Sequence, residues 1–242
     1  MANTLEDRYM SPSLREQMRK FSLFQRLSED AFDDVVAAAS PRTYPTGRSV
    51  FEQGEDAREF YVLLEGKLKV TQVTEDGKQI IIRIVVPGDL FGIARALQRT
   101  DYPGTVTAVV DSIVLAWSMS YWDEFLEKDS SLAVSTMHTV GQRLQESHAR
   151  IREMATEEVE RRVAHTVLRL IEQSGKPEAG GIRIDFPISR QDLAEMAGTT
   201  LHTVSRIMSR WQERGLVLTG RQKLLVCDQD RLHILAESAP DH

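Results

Sequence analysis

The stretch from 189 to 215, SRQDLAEMAGTTLHTVSRIMSRWQERG, decides the fold of the C-terminal part of the chain. Ser189 is a favoured N-cap, and apolar residues recur behind it at spacings of three and four. Gly198 then supplies the backbone freedom that ends a helix. Thr200 is placed to cap a second helix, which ends at Gly215. The sequence therefore predicts two helices joined by a tight turn.

Two short helices in this arrangement are typical of a helix-turn-helix unit, whose second helix lies in the DNA major groove. An arginine on its polar face can offer a fork of donors to guanine O6 and N7, so we expect Arg206 to read a guanine. An ordinary helical hairpin with a solvated arginine is the alternative. We expect base or methyl contacts from Thr203 and Ser205. Arg190, Gln191 and Arg210 are expected to contact mostly phosphates. The full predicted DNA-binding set is Arg190, Gln191, Thr200, Leu201, His202, Thr203, Ser205, Arg206 and Arg210.

Composition limits the other classes of function. The 242 residues are enough for two domains. The single cysteine, Cys227, excludes an internal disulfide framework and any cysteine cluster for zinc or iron–sulfur within one subunit. The first twenty residues have no apolar core and no run reaches eighteen apolar residues, so we expect a cytoplasmic protein without a secretory signal.

The charge distribution favours a DNA-facing end. The whole chain carries −6, but residues 182–223 hold seven basic and four acidic side chains, or +3, which leaves −9 elsewhere. Phosphate contacts are local, so a basic end on an acidic body is compatible with nucleic-acid binding.

In the N-terminal half of the chain, the spacing of hydrophobic residues changes from a helical to an extended pattern. Residues 1–20 are predicted to be a weakly structured extension, and 21–39 to be helical from the Ser28 signal, with Phe24, Leu27, Phe32, Val35 and Val36 buried. From about 43 to 118, seven β-rich runs separated by glycines and charged turns predict a compact antiparallel β-domain. Residues 93–99 read as a short helix within it.

A long helix is predicted to follow, from 129 to about 154. Six of its residues fall at alternating gaps of three and four, which is typical of a two-stranded coiled-coil seam. The alternative is a single amphipathic helix lying on its own β-domain. The predicted dimer-interface residues are Met137, Val140, Leu144, Ser147, Ile151 and Met154.

The rest of the chain completes a DNA-binding domain. Residues 156–173 are predicted to be helical, SGKPEAGG to be a loop, and 181–186 to be a strand. Segments 216–218 and 223–227 read as a strand pair turned by TGRQ, which would be a wing. Cys227 would lie in that wing, where its oxidation could impair DNA binding; the alternative is a small buried strand residue. The predicted domains are 21–128, a sensor; 129–155, a dimerisation helix; and 156–242, a winged helix-turn-helix.

In this order, the chain from about residue 21 resembles the family of the cyclic-AMP receptor protein and the fumarate-and-nitrate-reduction regulator (CRP/FNR). The resemblance rests on a glycine frame in FEQG (51–54), YVLLEG (61–66), DG (76–77) and PGDLFG (87–92), and on the Ser205–Arg206 pair. It implies an α+β protein with an N-terminal β-roll, a long dimerisation helix and a C-terminal winged helix-turn-helix. It also implies a homodimer that binds palindromic double-stranded DNA, with RNA polymerase as a further partner.

Departures from the family pattern concern the effector. Its cyclic-nucleotide binders place a Glu after the glycine corresponding to Gly92 and an Arg-Ser pair about ten residues on. Here Ile93 follows that glycine and the later region reads TDYPGT (100–105), with Asp101 of the wrong charge for a phosphate. Arg95 and Arg99 are nearby and are expected to be solvated. We therefore expect the β-domain not to bind cAMP.

The sequence also limits which other effectors of the family this chain can use, without identifying one. The family's iron–sulfur sensors use several N-terminal cysteines, which this chain lacks. Haem stays a candidate cofactor through His138, a Met or a Tyr, although His138 and His148 are more often solvated or packing residues. The run LHTVSR (201–206) resembles the subgroup of nitrogen-oxide-responsive denitrification regulators.

We therefore predict a homodimeric, sequence-specific transcription regulator that is not an enzyme. The alternative from another class is a cyclic-nucleotide-binding signalling module without DNA binding. An enzyme is disfavoured because no nucleophile elbow, phosphate loop or paired metal-ligand spacing is present in the sequence.

Overall fold

A computed structural model describes residues 12–237 of the chain. These residues divide into two compact units. The first contains the residues up to Gln72 together with Ile84–Gln145, and the second contains Val73–Arg83 and the residues from Glu146 onward. No helix among residues 12–237 is long and apolar enough to cross a membrane.

The first unit opens with two short helices, α1 (Pro12–Arg19) and α2 (Glu29–Ala37). The expectation that residues up to 20 are weakly structured is wrong for 12–19, because Leu14 and Met18 are buried in the core. The expected helix from 21 begins only at 29, where the Ser28 hydroxyl accepts a hydrogen bond from the Ala31 amide. Residues 21–27 form turns, in which Phe24 and Leu27 are nevertheless buried as predicted.

Two four-stranded sheets form the β-roll, which confirms the predicted antiparallel β-domain. One sheet has the order β1-β8-β3-β6 and the other β2-β7-β4-β5. Seven of the strands coincide with the predicted runs, whereas SPRTY was not recognised as a strand. The strands are β1 (Ser40–Tyr44), β2 (Ser49–Phe51), β3 (Glu59–Glu65), β4 (Leu68–Val73), β5 (Gln79–Val85), β6 (Leu90–Phe91), β7 (Thr105–Ala108) and β8 (Ser112–Ser118).

Two apolar clusters stabilise the roll. The first lies between β-strands and helices and includes Phe24, Phe32, Trp117 and Trp122. The second fills the interior between the sheets with Phe51, Tyr61, Phe91 and Tyr102, among others. Between β6 and β7 the predicted short helix is a single 3₁₀ turn, Arg95–Leu97.

Two helices follow the roll. Helix α3 (Tyr121–Lys128) was not predicted, and it buries Trp122 and Phe125. Helix α4 (Ser130–Thr156) is the long helix expected from the sequence. Asp129 caps it by accepting a hydrogen bond from the Ser131 amide at 2.9 Å.

The second unit is a small helical domain with a four-stranded sheet in the order β11-β12-β10-β9. Its helices are α5 (Val159–Ser174), α6 (Arg190–Ala197), α7 (Leu201–Glu213) and α8 (Gln229–Glu237), and its strands are β9 (Gly175–Glu178), β10 (Gly181–Ile184), β11 (Val217–Gly220) and β12 (Lys223–Val226). The predicted loop SGKPEAGG is wrong, because residues 175–178 pair with β10. Because this segment is polar, its sequence did not indicate the hairpin of β9 and β10 at the edge of the sheet. Gly180 has φ of 92° at the turn of that hairpin.

Candidate nucleic-acid interface

Local sequence fixes the helix-turn-helix. The Ser189 hydroxyl accepts from the Asp192 amide at 3.0 Å, and the Asp192 carboxylate accepts from the Ser189 amide at 2.9 Å, which completes a capping box at the start of α6. Gly198 ends α6 in the left-handed conformation, with φ of 62° and ψ of 47°. Thr200 caps α7 by accepting from the Thr203 amide at 3.2 Å. The predicted capping residues therefore set both helix ends and the turn between them.

The apolar face of α7 anchors it to the rest of the domain. Val204, Ile207, Met208 and Trp211 are all buried, as expected from their spacing. Trp211 has no exposed surface, and its indole N–H donates to Glu160 Oε1 at 2.8 Å. Glu160 lies in the first turn of α5, so one carboxylate ties α7 to that helix. The sequence pattern gave no signal for this role of Glu160.

The opposite face of α7 is open to solvent at its N-terminal end. Leu201, His202 and Arg206 are exposed, and Thr203 and Ser205 are half-buried. Thr200 is exposed at the cap. The structure thus brings together on one surface the residues expected to read bases, although their contacts to DNA stay a prediction.

The three residues expected to hold phosphates are each engaged with a neighbour. Arg190 donates to the Thr219 hydroxyl at 3.4 Å, and Gln191 donates to Glu195 at 2.9 Å. Arg210 forms an ion pair with Glu160 at 2.9 Å. These pairs are exposed, so water screens them and a phosphate can compete for the arginines.

The strands β11 and β12 form the predicted wing beside the start of α6. A cleft of about 480 Å³ lies between this wing and the helices α6 and α7, lined by Arg190, Gln191, Leu201, Thr219 and Lys223, among others. Lys223 and Gln222 are exposed at this cleft and were not among the predicted contact residues. The position of Gln222 in the TGRQ turn, with Lys223 directly after it, was a usable signal, because a wing tip beside a recognition helix faces the same ligand.

Along α4, most of the predicted seam is exposed on the single chain. Met137, Leu144, Ile151 and Met154 are 74%, 55%, 64% and 60% exposed, and Ser147 is also exposed. Val140 differs, because it is half-buried and packs against the first apolar cluster. That residue follows the alternative reading, in which the helix lies on its own β-domain.

The interior of the β-roll holds the two positions, 93 and 102, that matter for the prediction on cAMP binding. Ile93 is 5% exposed and belongs to the first apolar cluster, and Tyr102 is 3% exposed and belongs to the second. The rings of Tyr102 and Phe51 stack with centroids 3.7 Å apart, and the Tyr102 hydroxyl donates to the Glu59 carbonyl at 2.7 Å. Burial raises the pKa of the Tyr102 phenol above its ordinary value. The Tyr61 hydroxyl donates to the Glu59 carboxylate at 3.0 Å, and Arg42 pairs with the same carboxylate.

The charged residues near the expected phosphate position are paired with one another. Arg99 donates to both oxygens of Asp101 at 2.9 Å, and Arg95 forms an ion pair with Asp123. Both arginines are exposed, as expected, and each also forms a surface ion pair with a carboxylate.

The residues considered for a cofactor or redox role are exposed or half-buried. His138 and His148 are exposed on α4, and Cys227 is half-buried just after β12. Within residues 12–237, no three His, Cys, Asp or Glu side chains are grouped so that they could hold a metal ion.

Comparison with known proteins supports both units. Residues 41–129 match the cyclic nucleotide-binding domain and residues 161–235 match the Crp-like helix-turn-helix domain. The cyclic AMP receptor protein of Thermus thermophilus is 27% identical over 84% of this chain and 91% of its own. The global nitrogen regulator of Synechocystis is 25% identical over 90% of this chain and 95% of its own.

A solved structure has the same fold. FixK2 from Bradyrhizobium japonicum superimposes with a TM-score of 0.73 and 23% identity, over 83% of this chain and 98% of FixK2. The two domain matches stand in the same order as the β-roll and the capped helix-turn-helix described above. The chain therefore belongs to the CRP/FNR family of DNA-binding transcription regulators.

Proposed function

We propose that two copies of this chain bind a palindromic DNA site, each inserting α7 into the major groove of one half-site. The observation that carries the proposal is the polar N-terminal face of α7, where Arg206 is exposed while the opposite face is buried. Arg206 reads a guanine through a bidentate contact, and Thr203 and Ser205 add base or methyl contacts. Arg190, Gln191, Lys223 and, after release from Glu160, Arg210 hold phosphates.

The second copy is the occupant proposed for the exposed stripe on α4. Met137, Leu144 and Ile151 recur every seven residues and are all more than half exposed in the single chain. A strict seven-residue apolar repeat is the seam of a left-handed coiled coil. Dimerisation would place two recognition helices on half-sites about 34–36 Å apart, one helical turn of DNA. In the same family context, RNA polymerase is the proposed further partner of the DNA-bound dimer.

We also propose that the β-roll does not bind cAMP. A cyclic phosphate buried in the roll would need a cationic partner, because an unpaired buried charge is strongly unfavourable. Position 102 offers a phenol that already donates within the roll, and position 93 offers an apolar side chain. The relatives whose names include cyclic AMP are similar to this chain, but these two positions argue against the same ligand here.

The decisive experiment is selection of bound fragments from a random duplex library by the full-length protein, followed by titration of the selected site. We expect a two-fold symmetric site. Arg206→Ala should weaken binding by about 1–3 kcal/mol and relax the preference at one base pair in each half-site. Arg214→Ala is the matched control, because it removes the same charge from the last part of the recognition segment. An equal loss on selected and random duplex for Arg206→Ala would contradict base reading.

A further inference from the structure

Arg150 contacts three carbonyl oxygens in two separate segments of the second unit. The guanidinium donates to the carbonyl oxygens of Ile81, at 3.2 Å, and Ile82, both in strand β5. It also donates to the carbonyl oxygen of Met196 at 2.8 Å, in the last turn of α6. One side chain on α4 therefore holds strand β5 and the helix-turn-helix together through backbone atoms.

Arg162 supports the same end of α6 from α5. Its guanidinium donates to the carbonyl oxygens of Ala197 at 3.1 Å and Gly198 at 3.4 Å. The last carbonyls of a helix lack partners within the helix and carry partial negative charge, so cations there are stabilising. Arg150 and Arg162 thus satisfy three consecutive carbonyls at the turn that sets the angle between α6 and α7.

The environment of Arg150 makes these contacts costly to lose. Burial lowers the pKa of its guanidinium from the ordinary value, and the neighbouring charge of Arg169 lowers it further, while Glu153 and Glu146 act in the opposite direction. A buried cation that satisfies backbone carbonyls leaves those carbonyls unpaired when it is removed. A side chain held only for its packing would not need three carbonyl partners.

A second contact links the start of β5 to α6. Gln79 donates to the Glu195 carboxylate at 3.0 Å on the solvent side. Residues 79 and 81–82 therefore meet α6 both directly and through Arg150. Since α6 and the turn after it position α7, a displacement of β5 has a direct route to the recognition helix.

We propose that Arg150 is a positioning residue that couples strand β5 to the turn of the helix-turn-helix, and so sets the affinity of α7 for its specific site. The inference rests on the proposed function, because it needs a specific DNA site to act on. Its structural part, a shared tie between two backbone segments, is measurable without DNA.

The test compares the full-length wild-type protein with Arg150→Met, which keeps the length of the side chain and removes its donors. Arg152→Met is the matched control, since Arg152 is an exposed arginine on the same helix. Hydrogen–deuterium exchange should rise several-fold for Arg150→Met in both 79–83 and 196–200, and in neither for the control. The specific Kd should rise about tenfold, which corresponds to about 1.4 kcal/mol, with little change on random duplex.

The ratio of specific to random affinity separates positioning from folding. A merely structural loss lowers the active fraction and affects both duplexes alike, whereas a positioning loss changes the ratio. If Arg150→Met does not fold, Arg150→Lys carries the test, with the same two segments expected to loosen to a smaller degree. Faster exchange in one segment alone, or an unchanged affinity ratio, would overturn the proposal. If the wild-type protein selects no site, the proposed function fails, and the exchange data still decide whether the tie exists.

Discussion

Glu160→Ala is the most informative perturbation of the recognition helix. Glu160 accepts from the Trp211 indole at 2.8 Å and from Arg210 at 2.9 Å. Trp211 is fully buried, so its N–H would be left without a partner at a cost of about 1–3 kcal/mol. The Arg210 side chain is 55% exposed, and an exposed pair contributes only about 0–1 kcal/mol. We expect a total destabilisation of about 2 kcal/mol, most of it from Trp211.

Two further variants separate these contributions. Glu160→Gln keeps an oxygen that can accept from the indole but loses the ion pair, so we expect it to cost less than about 1 kcal/mol. In a Trp211→Phe background, Glu160→Ala should also cost less than about 1 kcal/mol, because the N–H is already absent. The free energy of opening is measured for the peptide 201–214 by hydrogen exchange across a urea series, which reports on this unit alone.

Equal destabilisation by Glu160→Ala and Glu160→Gln would refute the reasoning, because it would assign the energy to the charge rather than to the indole partner. A cost of Glu160→Ala that is unchanged in the Trp211→Phe background would do the same. Glu172→Ala serves as a control for loss of a carboxylate from the same helix, since Glu172 is exposed.

Three other predictions follow from separate contacts. Hydrogen bonds from the Ser28 amide and from Ser131 lower the pKa of Asp129 to about 2. Its contribution to the free energy of unfolding is therefore complete above about pH 4 and disappears as the pH falls toward 2. Measured against pH, the free energy of unfolding of Asp129→Asn should lack this loss of about 1–2 kcal/mol. Leu144→Glu should convert the proposed dimer to monomer in sedimentation experiments at micromolar concentration, while Gln142→Glu, also exposed on α4, should not. Gly198→Ala should cost about 1 kcal/mol or more in thermal unfolding, because φ is 62° and a Cβ would lie 3.0 Å from Met154 Cε, whereas Gly141→Ala should not be destabilising.

Local chemistry made most of the fold predictable. The caps at Ser189 and Thr200 and the left-handed Gly198 act within one or two turns, so the sequence alone located both helices. Short β-rich runs between glycines and charged turns located seven of the eight strands of the roll. The errors have a shared cause: β1 and β9 contain proline and polar residues and are strands only because a neighbour pairs with them. Such tertiary pairing leaves little trace in a single segment.

The candidate site was predicted for surface residues and missed for supporting ones. Arg206 and His202 could be assigned because an exposed polar face follows from helical spacing. The roles of Glu160, Arg150 and Arg162 depend on contacts over long sequence separations, such as Arg150 with Ile81 and Met196. No pattern within α4 or α5 distinguishes these charged residues from solvated ones.

The number of basic side chains at the DNA-facing end that are not already paired with a carboxylate also could not be read from the sequence. Residues 182–223 carry +3 by count, yet Arg183 is paired with Glu178 and Asp185, and Arg210 with Glu160 from outside the counted stretch. Arg210 can hold a phosphate only by leaving Glu160, so binding exchanges one ion pair for another. Arg210→Ala should therefore reduce the salt dependence of DNA binding by about one phosphate contact. An unchanged slope would mean that Arg210 stays on α5 in the complex, and that its part in the interface is to hold α7 rather than DNA.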